Sequence, residues 1–149
     1  MAQFEPYLSF NGNCAEAMRF YEQTLGGKIE MSMTYGEAPP MPGHPAPSGD
    51  AAKRIMHASM TLEGDRIMAS DMPPGMPFEG MKGITVSLAY PDVAKGKAIF
   101  DALAAGGKVT MPYQKTFWAA GFGMCTDKFG TPWMVNAGGD SGMGNSQSA

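Results

Sequence analysis

His57 is the titratable side chain best placed to do chemistry in this chain. It sits in a run from Arg54 to Leu62 that alternates with strand period, and a second run follows from Arg66 to Asp71. A turn at Gly64-Asp65 joins them as a hairpin. One face of that hairpin carries His57, Ser59, Thr61, Met68 and Ser70. The other carries Ala58, Met60, Leu62, Ile67 and Ala69. The second face is uniformly apolar and is expected to pack on a helix, so the first faces water or a cavity. A neutral imidazole there could act as a general base or hydrogen-bond a polar ligand. A strand-end histidine with a backbone partner is the competing reading. The other histidine, His44, falls in a proline-rich stretch.

The remaining candidates are weaker nucleophiles and shaped surfaces. Cys125 aligns with Ser59 when the two halves of the chain are superposed, which predicts a cavity-facing thiol. A reactive cysteine needs a base or a helix N-terminus to lower its pKa, and the second half offers no histidine, so an inert buried thiol competes. Cys14 does open a helix, but on its apolar side. Phe117 and Trp118 precede the small-residue run Ala119-Ala120-Gly121 and could close a cavity, stack on a flat ligand or seal an interface. Met134 and Asn136 belong to the last strand and complete the expected lining: His57, Ser59, Met68, Ser70, Trp118, Cys125, Met134 and Asn136. Trp133 falls on the helix-facing side and is expected in the core.

These residues are positioned by a pattern that occurs twice. Eighty residues separate Phe10 from Tyr90, Phe20 from Phe100, and Gly26-Gly27-Lys28 from Gly106-Gly107-Lys108. Each set reads strand, helix, double glycine, strand, which marks one supersecondary module used twice. The first module, about residues 4–72, runs through a strand at Tyr7 to Phe10 and a helix carrying Cys14, Ala17, Met18, Phe20, Tyr21 and Leu25 on one side. Asn13 is expected to cap that helix, with Glu16 reaching back. A strand from Ile29 to Tyr35 and the hairpin follow. The second module, about 83–138, runs through Ile84 to Tyr90, a helix from about Asp92 to Ala105, and strands Lys108 to Tyr113, Phe122 to Thr126 and Trp133 to Ala137. Its hairpin matches the first at a shift of sixty-six, Gly64 on Gly130 and Met68 on Met134. The stretch 36–53 has five prolines and reads as a lid or a plain loop. The Gly- and Ser-rich tail 139–149 is expected to be disordered.

Bulk properties narrow the function classes. Among 149 residues, 44% are apolar, with eleven basic and fourteen acidic side chains and a net charge of −3. No basic run exists to neutralise phosphates, which argues against nucleic-acid binding. No apolar stretch approaches a membrane span, no secretory signal is visible, and two cysteines suit a reducing, cytoplasmic setting. Fifteen methionines are the compositional oddity. They suit an adaptable pocket wall or ordinary core filling.

The pattern resembles the vicinal oxygen chelate superfamily, which includes glyoxalase I, the bleomycin-resistance proteins and the extradiol dioxygenases. Within it the PhnB-like group is the nearer likeness. The stretches that carry it are Pro6 to Cys14, Phe20-Tyr21 with Leu25-Gly26, Ile67 to Asp71, Thr116-Phe117-Trp118, and Phe122-Gly123 through Asp127-Lys128-Phe129-Gly130 to Trp133. The resemblance implies an α+β fold, a single domain over 1–138 in which tandem βαβββ modules form a half-open, mostly antiparallel barrel with helices outside. It also implies a homodimer. Metal-dependent members take ligands from the first and last strand of each module. The matching positions here are near Pro6, Met68, Thr85 to Ser87 and Met134, and none is a usual ligand for a hard or borderline divalent ion. A methyltransferase label found on relatives of this type has no support, because the double glycines end helices and do not open a cofactor turn. The expected function is therefore a metal-free, cofactor-free protein that binds a small molecule. The alternative is a superfamily enzyme of lyase, isomerase or oxygenase type using His57 or a non-standard metal set.

Overall fold

A computed structural model describes residues 2–39, 42–43 and 47–138. His44 and the tail 139–149 lie outside the described residues. The chain divides into two compact units, Met1–Met81 and Lys82–Ala149. Each contains one βαβββ module, so the α+β fold and its duplication are as expected. No helix among the described residues is long and apolar enough to cross a membrane.

In the first unit, β1 (Tyr7–Phe10), β2 (Lys28–Thr34), β3 (Ile55–Leu62) and β4 (Asp65–Asp71) form a sheet in the order β1-β4-β3-β2. β1 runs parallel to β4, and the other pairs are antiparallel. Helix α1 (Cys14–Leu25) covers one face against β2, β3 and β4. That face buries Leu8, Phe10, Ala58, Met60, Ile67 and Ala69 under Cys14, Ala17, Met18 and Tyr21. Burial of these apolar side chains stabilises the unit by roughly 25 cal/mol per Å² removed from water. The β3–β4 turn is made by Glu63 (φ 50°) and Gly64 (φ 94°), two left-handed residues between the register pair Leu62 and Asp65. Such a two-residue turn matches the strand twist and fixes the register. Within the stretch 36–53, expected to carry no element, Asp50–Lys53 makes one helical turn, α2, whose Ala52 carbonyl accepts from Gly36 N–H.

The second unit repeats the plan with β5 (Val86–Tyr90), β6 (Lys108–Gln114), β7 (Gly121–Thr126) and β8 (Pro132–Ala137) in the order β5-β8-β7-β6. Helix α3 (Val93–Ala104) packs on all four strands. Trp133, Val135, Phe100, Leu103 and Cys125 fill its core. The double glycines divide their labour in both units. Gly26 (φ 79°) and Gly106 (φ 77°) take the left-handed geometry that follows a helix. Gly27 and Gly107 lie against the backbone of Thr61 and of Thr126 and Asp127, where any Cβ would collide.

The α1 N-terminus departs from expectation. Asn13 makes no side-chain capping hydrogen bond. The donors are met from β4 instead: Asp71 Oδ1 accepts from Gly12 N–H at 2.7 Å and Cys14 N–H at 3.0 Å, and Oδ2 accepts from Ile55 N–H at 2.8 Å. In the second unit Asp92 caps α3 locally, accepting from Ala94 and Lys95 N–H. The two caps should be unequal in worth. Asp71→Ala strands three buried or part-buried donors and is expected to cost about 3 kcal/mol or more, against about 1 kcal/mol for Asp92→Ala. Urea unfolding of the two variants measures the difference, and equal losses would contradict this account.

Candidate functional site

The face of each sheet turned away from its helix carries the candidate residues other than Cys125 and Trp118. In the first unit, β-alternation sends Tyr7 and Ser9 to this face because Leu8 and Phe10 face the helix. The register sets Tyr7 beside Met68 and Ser9 beside Ser70. It sets Ser59 beside Met68, Met31 beside Ser59 and Met33 beside His57. The hairpin face read from the sequence, with His57, Ser59, Thr61, Met68 and Ser70 together, is therefore the observed one. Asp71 lies on the opposite, helix-facing side, buried to 1% exposure.

His57 has a partner that the sequence did not single out. The Tyr7 hydroxyl lies 3.0 Å from His57 Nδ1, and the two rings are 5.6 Å apart at 35°. Tyr7 is 47% exposed, so this pair is open to solvent and to a ligand. The signal was available: Leu8 and Phe10 point inward, so Tyr7 had to point toward the face of His57. Near the other end of the same face, Glu5 and Arg66 form an ion pair at 2.6 Å, and Thr61 hydrogen-bonds Glu30. At the end of β4, Arg54 donates to Asn11 Oδ1 and the Met72 carbonyl, each at 3.1 Å.

In the second unit, Met134 pairs with Ser87 and Met124, and Asn136 pairs with Ala89 and Phe122, all on the helix-free face. Trp118 stands edge-on to both Phe117, at 4.7 Å, and Phe122, at 5.2 Å. Phe117 at the end of this ladder is 92% exposed. Asn136 Oδ1 is buried without a hydrogen-bond partner among the described residues.

Cys125 corrects the sequence reading. It pairs with Trp133, is 2% exposed and belongs to the helix-facing core. The cause is turn length. The first hairpin closes over two residues, whereas the second spans five, Asp127 to Thr131, between the pair Thr126 and Pro132. Superposed at a shift of sixty-six, the registers differ by one residue, and one residue reverses every side chain of β7. Asp127 holds that longer turn: Oδ1 accepts from Phe129 and Thr131 N–H, and Oδ2 accepts from Trp133 Nε1–H at 2.8 Å.

The positions at which metal-dependent relatives place ligands can be tested for fit. Pro6 contributes its carbonyl to Met68 N–H in the strand ladder, and the side chain beside Met68 is that of Tyr7. Beside Met134 stands Ser87. In neither unit does the pair, a thioether with a phenol or a thioether with a hydroxyl, fit a hard or borderline divalent cation, which takes carboxylate, imidazole or thiolate.

A family model described as the Glyoxalase/Bleomycin resistance protein/Dioxygenase superfamily matches residues 3–135. Protein YjdN of Escherichia coli K12 is 46% identical over 139 residues, 88% of this chain and 92% of that protein. The crystal structure of protein PA1353 from Pseudomonas aeruginosa is 45% identical, with a TM-score of 0.84 over 94% of this chain and all of that one. A PhnB protein from Bacillus cereus, named as a 3-demethylubiquinone-9 3-methyltransferase, is 23% identical with a TM-score of 0.73 over 91% of this chain and 99% of its own. At that identity the likeness is one of fold.

The two thiols are unsuited to nucleophilic work. Burial, followed by the nearby Asp71, pushes the Cys14 thiol from 9.0 up to about 12. Burial and Asp127 push Cys125 up to about 11. Because the folded values are raised, the unfolded chain loses these protons first. The stabilisation they bring is whole below pH 9 and declines as pH rises toward 11 and 12. The melting temperature should accordingly fall between pH 9 and 11, less steeply in Cys14→Ala. Iodoacetamide at pH 7.5 should label neither thiol until urea is added, and rapid labelling of the native protein would refute this assignment.

Proposed function

Because the chain belongs to the glyoxalase/bleomycin resistance protein/dioxygenase superfamily, we propose that it is a metal-free small-molecule-binding protein of that superfamily. The observation that supports this reading most is the pairing of Met68 with Tyr7 and of Met134 with Ser87. The superfamily frame is complete in both units, while the side chains at its ligand positions are neutral and weakly coordinating. Thioethers suit such a role, since they are flexible, polarizable and tolerant of differently shaped apolar groups. The helix-free faces combine them with hydroxyls and aromatic rings, the mix of apolar wall and few polar groups that small-molecule sites use.

The Tyr7–His57 hydrogen bond favours a second reading, an enzyme of the superfamily in which His57 exchanges a proton with substrate. The phenol would orient the imidazole, the task a second group performs for a general base. Partner and assembly follow the first reading: a small-molecule ligand and a homodimer.

Purified protein is expected to carry no stoichiometric metal, and Zn²⁺, Ni²⁺, Mn²⁺ or Fe²⁺ should leave its melting temperature unchanged. Some members of a broad panel of apolar small molecules should raise it, by mass action on the folded state. Stoichiometric metal that is lost in His57→Ala would overturn the metal-free reading. Light scattering should give twice the mass of one chain.

A further inference from the structure

We propose that the helix-free face of the first sheet binds small aromatic carboxylates, with His57 as the donor to the carboxylate and Tyr7 as its positioning residue. This rests on the small-molecule-binding reading above and names the ligand chemistry of one of its faces.

The direction of one hydrogen bond sets which nitrogen of His57 carries the proton. Tyr7 Oη and His57 Nδ1 are 3.0 Å apart, and either group could in principle donate. A phenol is the stronger acid and a neutral imidazole nitrogen the stronger base, so the hydroxyl donates and Nδ1 accepts. The imidazole proton is then held on Nε2, which lies on the other edge of the ring from Tyr7. Tyr7 thus converts a side chain with two interchangeable nitrogens into a fixed donor.

What that donor would recognise follows from its neighbours. No Asp or Glu hydrogen-bonds His57 among the described residues. Glu5, the acid that leads into β1, is held by Arg66 at 2.6 Å. The residues in register around His57 are Met33 on β2 and, one step along, Ser59 with Met31 and Met68. With Tyr7 on Nδ1 and no carboxylate of the described residues on the ring, Nε2–H is left to donate to an acceptor on the ligand. A charged acceptor also makes the stronger bond to Nε2–H than a neutral one. A carboxylate brings two oxygens, and the half-buried Ser70 hydroxyl shares the face of His57, so the second oxygen has a donor on the same face.

The rest of the face selects the body of the ligand. Met31, Met33 and Met68 surround the polar residues with thioethers, and the Tyr7 ring borders them. Sulfur against an aromatic ring is a favourable contact, and flexible methionines close around a flat group without demanding one shape. Aliphatic acids would forgo those contacts, and uncharged aromatics would lose the charge assistance of the His57 bond.

The test is NMR titration of the full-length protein with benzoate, benzyl alcohol and acetate as probes. Benzoate should saturably shift the amides of β1, β3 and β4 and the His57 Nε2 resonance, and it should bind more tightly than the other two. His57→Leu should weaken benzoate by about tenfold or more, the loss of one hydrogen bond to a charged group. Tyr7→Phe removes one hydroxyl from a half-exposed residue and cannot unfold the sheet. It should weaken benzoate severalfold and shift the His57 ¹⁵N pair from a single Nε2–H tautomer to a mixture, a signature that a merely structural role would not move. Benzyl alcohol binding as tightly as benzoate would overturn the carboxylate assignment and leave the small-molecule reading intact. Benzoate binding unaffected by His57→Leu, or mapping to the second unit, would overturn the site. No benzoate binding at millimolar concentration would also overturn it, and the broad panel then decides separately whether the underlying reading survives.

Discussion

Asp71 joins three parts of the first unit that are distant in sequence. Its carboxylate is 1% exposed, and its two oxygens accept from Gly12 and Cys14 at the start of α1 and from Ile55 at the start of β3. Removing a carboxylate from water is costly unless its lone pairs are met by good donors, and charge-assisted bonds to backbone N–H groups are among the strongest available. The helix N-terminus adds the favourable end of its dipole. Holding these donors fixes where the β1–α1 turn sits against β4. That in turn fixes the alternation of β1, which sends Leu8 and Phe10 to the core and Tyr7 toward His57. The Tyr35 hydroxyl donates to the carbonyl of the same residue at 2.8 Å, so the end of β2 is tied to this point as well. The geometry of the Tyr7–His57 pair is therefore a downstream consequence of a carboxylate that faces the other side of the sheet.

The duplicated module solves this problem twice, by different means. Position 12 is glycine in the first copy, and its counterpart eighty residues on is Asp92. Asp71 has Ala137 as its counterpart, and the registers agree, since Phe10 pairs with Asp71 and Tyr90 with Ala137. One copy places the capping carboxylate across the sheet with glycine at the turn. The other places it in the turn with alanine across the sheet. Asp127 supplies a second contrast, holding a five-residue turn and the indole N–H of Trp133. Each unit thus has a buried carboxylate that organises backbone, at positions that do not correspond.

This difference marks the limit of what the sequence made legible. Element order, the two helices, the double-glycine ends and the faces of the first hairpin all follow from local signals: alternation, helical spacing and left-handed glycine. The face carrying His57, Ser59, Met68 and Ser70 was readable for that reason, as were Met134 and Asn136. Local signals could not reveal the cap, because Asn13 looks like a cap residue and the true partner lies fifty-nine residues from Gly12. They could not place Cys125 either, since its face depends on turn length and not on its own strand. Tyr7 was within reach of the alternation argument, but a tyrosine on a strand has no chemical signature until the sheet order puts a histidine within reach of its hydroxyl, two strands away across β4.

The register difference has a chemical consequence that reaches beyond one misplaced cysteine. A duplicated fold begins with equivalent faces, and substitution alone would differentiate them one residue at a time. Lengthening one hairpin turn exchanges all the inward and outward positions of β7 at once. In the first unit β3 presents His57, Ser59 and Thr61 on the helix-free face. In the second, β7 turns Cys125 inward against Trp133 and presents Phe122 and Met124 outward. Polar, proton-carrying groups are thereby concentrated on the first sheet, and aromatic surface, continued by Trp118 and Phe117, on the second. Asn136 is the polar exception there, with its oxygen closed off beside the Phe122 position. A change in loop length thus turns two copies of one frame into faces of different chemistry and re-sorts the β7 side of the second core, while the helix ends and double glycines of both copies stay in place.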